Sequence, residues 1–267
     1  MILISGKSDC LEDALVRKFR DMRENNVVRL ESGTGLMDYL TAYHRDINAL
    51  YYFEQCRKTS ESSYRMDFFQ LLWSFATKQK IPLNLIFHKY KSDFSIDDQL
   101  ARFADWVGKQ YRNPPFYYIF EMGEVYGGDF RNPVFEEYYR QISTTGVAVV
   151  ARATDEHGSQ LERQMDYVSL PDVMRVLYWF QIHRPESGIY ELGSGFPRTD
   201  TAVVNAIFRT LKRPPHIQYL PNGAVWEEIG VPACPTDLSH LRRVGYKKTF
   251  CPIEKGMKMW VRRHFLQ

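Results

Sequence analysis

Short runs of apolar residues alternate along this chain with longer stretches in which apolar residues recur every three or four positions. The runs are Met1–Ser5, Val27–Leu30, Ile47–Phe53, Ile81–Phe87, Phe116–Met122 and Ile189–Leu192. They are short and apolar at successive positions, which predicts strands buried on both faces. Helical spacing fills the intervals at Leu11–Arg23, Leu36–His44, Asp67–Lys80 and Ile96–Arg112, and later at Pro133–Ser143, Pro171–His183 and Thr199–Lys212. In the first of these, Leu11, Leu15, Phe19 and Met22 share one face. Doubly covered strands separated by helices predict an α/β fold built on a doubly wound, mostly parallel sheet.

After Tyr126 the alternation loosens. Glycine and proline cluster in GGDFRNP, PPHIQYLPNG and GVPACPTD, and the apolar runs shorten. The expected division is a first domain over 1–125, with a strand returning near 187–195, and a smaller C-terminal α/β lobe over 126–267. No internal repeat or low-complexity linker is evident.

Composition narrows the function classes. With 267 residues, 44% of them hydrophobic, the chain can bury a large core, and its 15% aromatic content argues against disorder. The formal net charge of +3 is small, and its densest basic stretches, Lys247-Lys248 and Arg262-Arg263-His264, are short. Such runs read as solvated helix ends, so no nucleic-acid partner is expected. The cysteines at 10, 56, 234 and 251 form no C-x-x-C and pair with no histidine spacing, so neither a disulfide framework nor a metal site is expected. No stretch approaches ~20 apolar residues, and the first residues lack the pattern of a signal peptide. The expectation is a soluble, cytoplasmic protein without membrane contact.

The opening MILISGKSDCLEDALVRKF reads as the first strand, turn and helix of a Rossmann-like dinucleotide-binding unit. The turn of such a unit is rich in glycine because a cofactor pyrophosphate touches its backbone. Here the turn is Gly6-Lys7-Ser8-Asp9-Cys10-Leu11-Glu12, and none of the 16 glycines in the chain has another three residues on.

Three stretches of the second half are more specific: MDYVSLPDV at 165–173, SGIYELGSG at 187–195, and LRRVGYKKTFCPIEKGMKMWV at 241–261. In this order and spacing they resemble the extended short-chain dehydrogenase/reductases, the NAD-dependent epimerase/dehydratase family, and most of all the ADP-L-glycero-D-manno-heptose 6-epimerases. PPFYYIFEMGEVYGGDF at 114–130 is similar to that family's strand and loop after the catalytic helix. The resemblance runs nearly end to end with the middle shortened, and it implies a Rossmann-like fold with a nucleotide-sugar substrate.

The family's functional residues, carried over position by position, do not survive. Gly6 matches the first glycine of the triplet, but Asp9 and Glu12 stand where the other two belong. The second glycine admits the pyrophosphate and the third lets helix and strand pack closely. Asp9-x-x-Glu12 has instead the spacing of a capping box, with carboxylates where a phosphate would sit. Two unit charges ~4 Å apart near a surface repel by on the order of 4 kcal/mol. That exceeds the ~1 kcal/mol or less that a helix terminus offers an exposed anion. No cofactor is therefore expected, with NAD(P) retained only if the degenerate turn still binds it.

The family's Tyr-x-x-x-Lys pair supplies a general acid or base, yet none of the 17 tyrosines has a lysine four residues on. Aligned back from Pro114-Pro115-Phe116, Ile96 and Leu100 occupy those two positions, and His88 falls near the family's serine. Neither aliphatic side chain transfers a proton, and a lost acid–base role is worth about 10²–10⁴ in rate. Glu124 and Glu191 stand where relatives carry Asn, and Met165 where they carry Arg.

Remaining candidates for ligand contact are His88, Glu124, Tyr126, Arg131 and Arg163, with Arg152 and Arg198 as further phosphate partners. His88 ends a central strand, where open α/β sheets place ligands, and Tyr90, Asp97 and Asp98 are near it in sequence; the plainer alternative is a strand-capping histidine. Asp155-Glu156-His157 reads as an exposed turn.

The reading that follows is a catalytically inactive, epimerase-like protein. It would act as a binding or regulatory subunit in nucleotide-sugar or lipopolysaccharide metabolism. Its expected partner is a second copy or an active epimerase. By resemblance, Leu100, Phe103, Trp106 and Val107, with Phe68, Leu71, Leu72 and Phe75, would form a four-helix contact, ordinary core packing being the alternative. The other reading is a sugar-nucleotide enzyme, such as an NAD(P)-dependent epimerase, with a site rebuilt on His88 and Glu124.

Overall fold

The computed structural model describes residues 1–7, 9–31, 35–56, 62–89, 102–103, 105–107, 109, 116–154, 157–221 and 235–266. The chain divides into two compact units. The first comprises Met1–Met122, Met174–Leu192 and Ser239–Tyr246, and the second Gly123–Val173, Gly193–Leu238 and Lys247–Gln267.

The first unit is built on β1 (Ile2–Gly6), β2 (Val27–Arg29), β3 (Ala49–Cys56), β4 (Leu83–Lys89), β5 (Tyr117–Met122) and a late strand, β11 (Gly188–Leu192). They form one sheet in the order β11-β5-β4-β3-β1-β2, and every pairing is parallel. Each apolar run of the first unit became one of these strands.

Alternation along the strands explains why those runs are apolar throughout. On one face Leu3, Leu50, Tyr52, Leu83, Leu85, Phe87 and Ile119 pack with α2 (Leu36–Ala42) and α3 (Ser62–Gln79) through Leu40, Phe69, Leu72 and Trp73. Buried Phe103 and Val107 join them. On the other face Tyr51 meets Phe19 of α1 (Asp9–Asp21) edge-on, and Tyr118 and Phe120 meet Phe180 of α5 (Leu170–His183). Helices therefore cover both faces, as a doubly wound sheet requires. α1 ends at Asp21, one residue before Met22, which is 43% exposed.

The chain passes from β1 to β2 on one side and then to β3 on the other, so the topological switch point lies between β1 and β3. There the two strands approach closely. A Cβ on Gly6, whose φ is +149°, would collide with the Phe53 backbone, its nitrogen only 2.6 Å away. Glycine at 6 is thus needed for strand contact, quite apart from any ligand.

The second unit holds a parallel pair, β6 (Glu124–Tyr126) with β10 (Tyr167–Ser169), and a three-stranded sheet of β13 (Ile217–Pro221), β7 (Ala148–Thr154) and β8 (Gln160–Glu162). A short antiparallel pair joins β9 (Gln164–Met165) to β12 (Arg198–Thr199). Its helices include α4 (Pro133–Thr145), α6 (Asp200–Thr210) and α8 (Ile253–Phe265), and α7 (Ser239–Arg243) returns to the first unit. α4 starts on the Asn132 side chain, which accepts from the Val134 and Phe135 amides, with Pro133 at its first position, and ends on left-handed Gly146. The core joins Phe135 and Ile142 of α4, Val204 and Ile207 of α6, and Met257 and Trp260 of α8. The tract Arg262-Arg263-His264 forms the last turn of α8, where cations complement the helix dipole.

Candidate functional site

Open α/β sheets bind ligands outside the carboxyl ends of their strands, at the switch point. Here that place is made by the end of β1, the start of α1, and the last residues of β2 and β3. The Lys7 amide donates to the Phe53 carbonyl at 2.9 Å, which extends the β1–β3 ladder past Gly6. The Lys7 ammonium lies 3.3 Å from the Glu54 carboxylate, which is 2% exposed and also accepts from the Tyr52 hydroxyl.

Glu12, the residue at the third glycine position, lies in the first turns of α1 with no exposed surface. Its Oε2 accepts from Nε of Arg29, the last residue of β2, at 3.2 Å, and Asp13 Oδ1 stands 3.3 Å from Arg29 Nη1. A buried carboxylate requires such a partner because desolvating it alone would cost several kcal/mol, an amount of order set by ion transfer. The switch point is thus lined by two buried carboxylates, Glu12 and Glu54, each with its own cation. These residues do not fit the glycine-lined backbone against which a dinucleotide pyrophosphate rests. The side chain of Asp9 lies outside the described residues.

His88, the last residue but one of β4, pairs with Met122 of β5 and is buried, on the sheet face that also carries Asn84 and Ile86. Ile96 and Leu100, expected at the family's acid–base positions, lie outside the described residues, as do Tyr90, Asp97, Asp98, Asp155 and Glu156. Glu124 belongs to the second unit, so the two residues proposed for a rebuilt site sit in different compact units.

In the second unit several candidates are held by protein groups. Arg163 is gripped by Asp200 through Nε at 3.2 and 3.1 Å and Nη2 at 2.8 Å, with both side chains largely buried. Tyr126 is fully buried, and its hydroxyl donates to the Cys251 carbonyl at 3.1 Å. Burial, with the charges around it, raises that hydroxyl well above the ordinary tyrosine range. Arg131 lies 3.3 Å from Glu136 at the surface, and Glu124 accepts from Asn132 Nδ2 at 3.4 Å. Arg152 pairs with Glu162 and stacks on the Tyr219 ring at 3.3 Å. Met165, in β9, pairs with Arg198, and Arg198 also contacts Glu254 at 3.2 Å.

Two carboxylates in MDYVSLPDV organise this unit. Asp166 accepts from the Ser194 amide at 2.7 Å, the Ser194 hydroxyl at 2.5 Å, the Gly195 amide at 2.9 Å and the Thr236 amide at 3.0 Å. Asp172 accepts from the Cys251 amide at 2.6 Å. They join the three resembling stretches to one another. Next to the loop so fixed lies a cavity of about 360 Å³, walled by Tyr167, Phe196, Phe250 and Ile253 with Ser194 and Arg198 at its polar side.

Position-by-position reading missed Arg29, Glu54, Asp166 and Asp172. Arg29 and Glu54 were visible as lone charges, the one within an apolar run and the other just after one. The two aspartates were visible within a quoted motif, but their donors are scattered over 70 or more positions for Thr236 and Cys251.

The covered parallel sheet and its switch point define a doubly wound, Rossmann-like fold. Solved structures agree. WbmG of Bordetella bronchiseptica, crystallised with NAD and UDP, superposes with a TM-score of 0.73 at 10% identity, over 97% of this chain and 93% of that one. TunA, an NAD-dependent NDP-hexosamine 5,6-dehydratase of tunicamycin biosynthesis, gives 0.66 at 15% identity, over 97% and 96%. These likenesses establish the fold.

In sequence, the chain is a distant relative of the ADP-L-glycero-D-manno-heptose-6-epimerases. The protein of that name from Nitratidesulfovibrio vulgaris is 25% identical over 149 residues, covering 56% of this chain and 46% of its own length. The chain spans about half the length of the curated relatives it matches. No family model matches it. Its sequence similarity is to proteins named as ADP-L-glycero-D-manno-heptose-6-epimerases. No helix among the described residues is long and apolar enough to cross a membrane, and no group of three or more His, Cys, Asp or Glu among them could hold a metal.

Proposed function

We propose that this protein is a catalytically inactive relative of the heptose epimerases, acting as a binding or regulatory subunit in nucleotide-sugar or lipopolysaccharide metabolism. The observation that carries the reading is Glu12: an anion stands, fully buried, where the dinucleotide turn requires glycine. Ile96 and Leu100 at the acid–base positions support it, since neither side chain transfers a proton.

A subunit needs a surface to offer. Besides the core face of Phe69, Leu72 and Trp73, α3 carries Leu71, 52% exposed, and half-buried Phe68 and Phe75, among exposed Asp67, Ser74 and Lys78; Trp106 is half-buried against the same core. Phe103, Val107 and Leu72 are fully buried, as ordinary core would have them. The proposed contact with a second copy or an active epimerase therefore narrows to Phe68, Leu71, Phe75 and Trp106.

The test is calorimetric titration of the purified chain with NAD⁺, NADP⁺ and ADP-heptose, together with its mass by light scattering. The expected result is no dinucleotide binding. Micromolar binding of either dinucleotide would overturn the proposal, and turnover of ADP-heptose would do the same.

A further inference from the structure

We propose that Glu12 is an internal substitute for an anionic ligand, holding an arginine that would otherwise bind phosphate. The proposal rests on the reading that the first turn holds no dinucleotide. In Rossmann-like units the end of the second strand, some twenty residues after the first glycine, faces the adenosine ribose, and an arginine there accommodates a 2′-phosphate. Arg29 is that residue: it ends β2, pairs in register with Ile4 of β1, and is 22% exposed.

Its guanidinium points back to α1 rather than outward. Nε meets the Glu12 carboxylate at 3.2 Å and Nη1 meets Asp13 at 3.3 Å. Guanidinium is a planar fork suited to carboxylate or phosphate alike, so the two anions compete for the same donors. Glu12 wins because it is intramolecular and completely shielded from water, whereas Asp13 is 48% exposed and worth little as a partner. Without the Glu12 charge, Arg29 would remain at the mouth of the switch point with its buried Glu12 counter-ion gone. The residue at 12 in such turns is glycine or alanine, so Glu12→Ala restores a side chain this geometry accepts.

The experiment titrates the wild type, Glu12→Ala, Glu12→Gln and Glu12→Ala/Arg29→Ala with 2′-AMP, using 5′-AMP as the control ligand. The probe lacks a pyrophosphate, so it tests the Arg29 contact apart from the glycine-poor turn. A charge-assisted hydrogen bond regained should tighten 2′-AMP binding by about tenfold to a hundredfold in Glu12→Ala. That gain should vanish in the double variant and be smaller for 5′-AMP. Glu12→Gln keeps the volume of the buried side chain and should gain less; it carries the test if Glu12→Ala does not fold. A folded variant that binds 2′-AMP no tighter than the wild type overturns the proposal, as does a gain that survives loss of Arg29. Dinucleotide binding by the wild type would instead overturn the proposed function, a separate outcome read from a separate titration.

Discussion

Replacing Asp166 should loosen the second unit more than any single surface change. Its carboxylate, 6% exposed, accepts from three backbone amides and one hydroxyl, drawn from the 194–195 loop and from Thr236. In Asp166→Ala the Ser194 hydroxyl keeps an alternative acceptor in the Phe196 carbonyl, at 3.2 Å. The three amides lose theirs. A buried unsatisfied donor costs ~1–3 kcal/mol, and Ser194 and Gly195 are only half-buried, so the low end applies to each and the sum is about 3 kcal/mol. Asp166→Asn keeps one carbonyl oxygen but turns an NH₂ toward donors, so it should fall between the two. The assay is urea unfolding at pH 7, read as the midpoint with the slope held equal. A loss below about 1 kcal/mol in Asp166→Ala would show that water replaces the carboxylate freely, and would refute the assignment of this residue as the joint between the loops.

Other outcomes follow from the same structure. Asp200→Ala strands the Arg163 guanidinium, 15% exposed, and should cost about 3–5 kcal/mol. Arg163→Met/Asp200→Leu should recover most of that loss in the same unfolding assay, because the hydrophobic pair leaves no buried charge. Burial raises the hydroxyls of Tyr51, Tyr126, Tyr138 and Tyr167 above their unfolded value near 10. Above about pH 10 the unfolded chain therefore releases protons that the folded one retains, and stability falls as pH rises, by up to about 1.4 kcal/mol per pH unit for each tyrosine. Spectrophotometric titration should show these tyrosines ionising together with unfolding, while independent ionisation near pH 10 in a still-folded protein would contradict their burial.

How much of this was legible beforehand varies by region, for physical reasons. The first unit was readable because its strands are apolar on both faces, so each appears as an unbroken run whatever it later packs against. ALYYFEQC is the clearest case: Leu50 and Tyr52 serve one helix layer, Tyr51 and Phe53 the other. The second unit was less readable. β7 (AVVARAT) alternates buried Ala148, Val150 and Ala153 with half-buried residues, and β13 ends in Leu220, 55% exposed. β13 makes no run, and the apolar run over 147–151 stops at Arg152, inside β7. α8 carries Ile253, Met257, Trp260 and Val261 at helical spacing, but Gly256 and the charges between them obscure the stripe. Gly256 is explained only by packing, since a Cβ there would run into the Tyr126 ring.

By itself, the amino-acid sequence determined the α/β class, the order of the six sheet strands' segments, and the missing glycines, tyrosine and lysine. The class and order follow from local periodicity, and the absences from residue identities set against the family the chain resembles; neither needs a spatial neighbour to be read. Only the tertiary structure decided what the replacements do. Glu12 could have capped its helix, faced solvent or found a cation, and it is the parallel pairing of β1 with β2 that brings Arg29 within 3.2 Å. Likewise Asp166 became a joint because folding gathered amides from positions 194, 195 and 236 around it. Charge pairing between distant residues depends on where the backbone places them, and spacing along a chain does not carry that information.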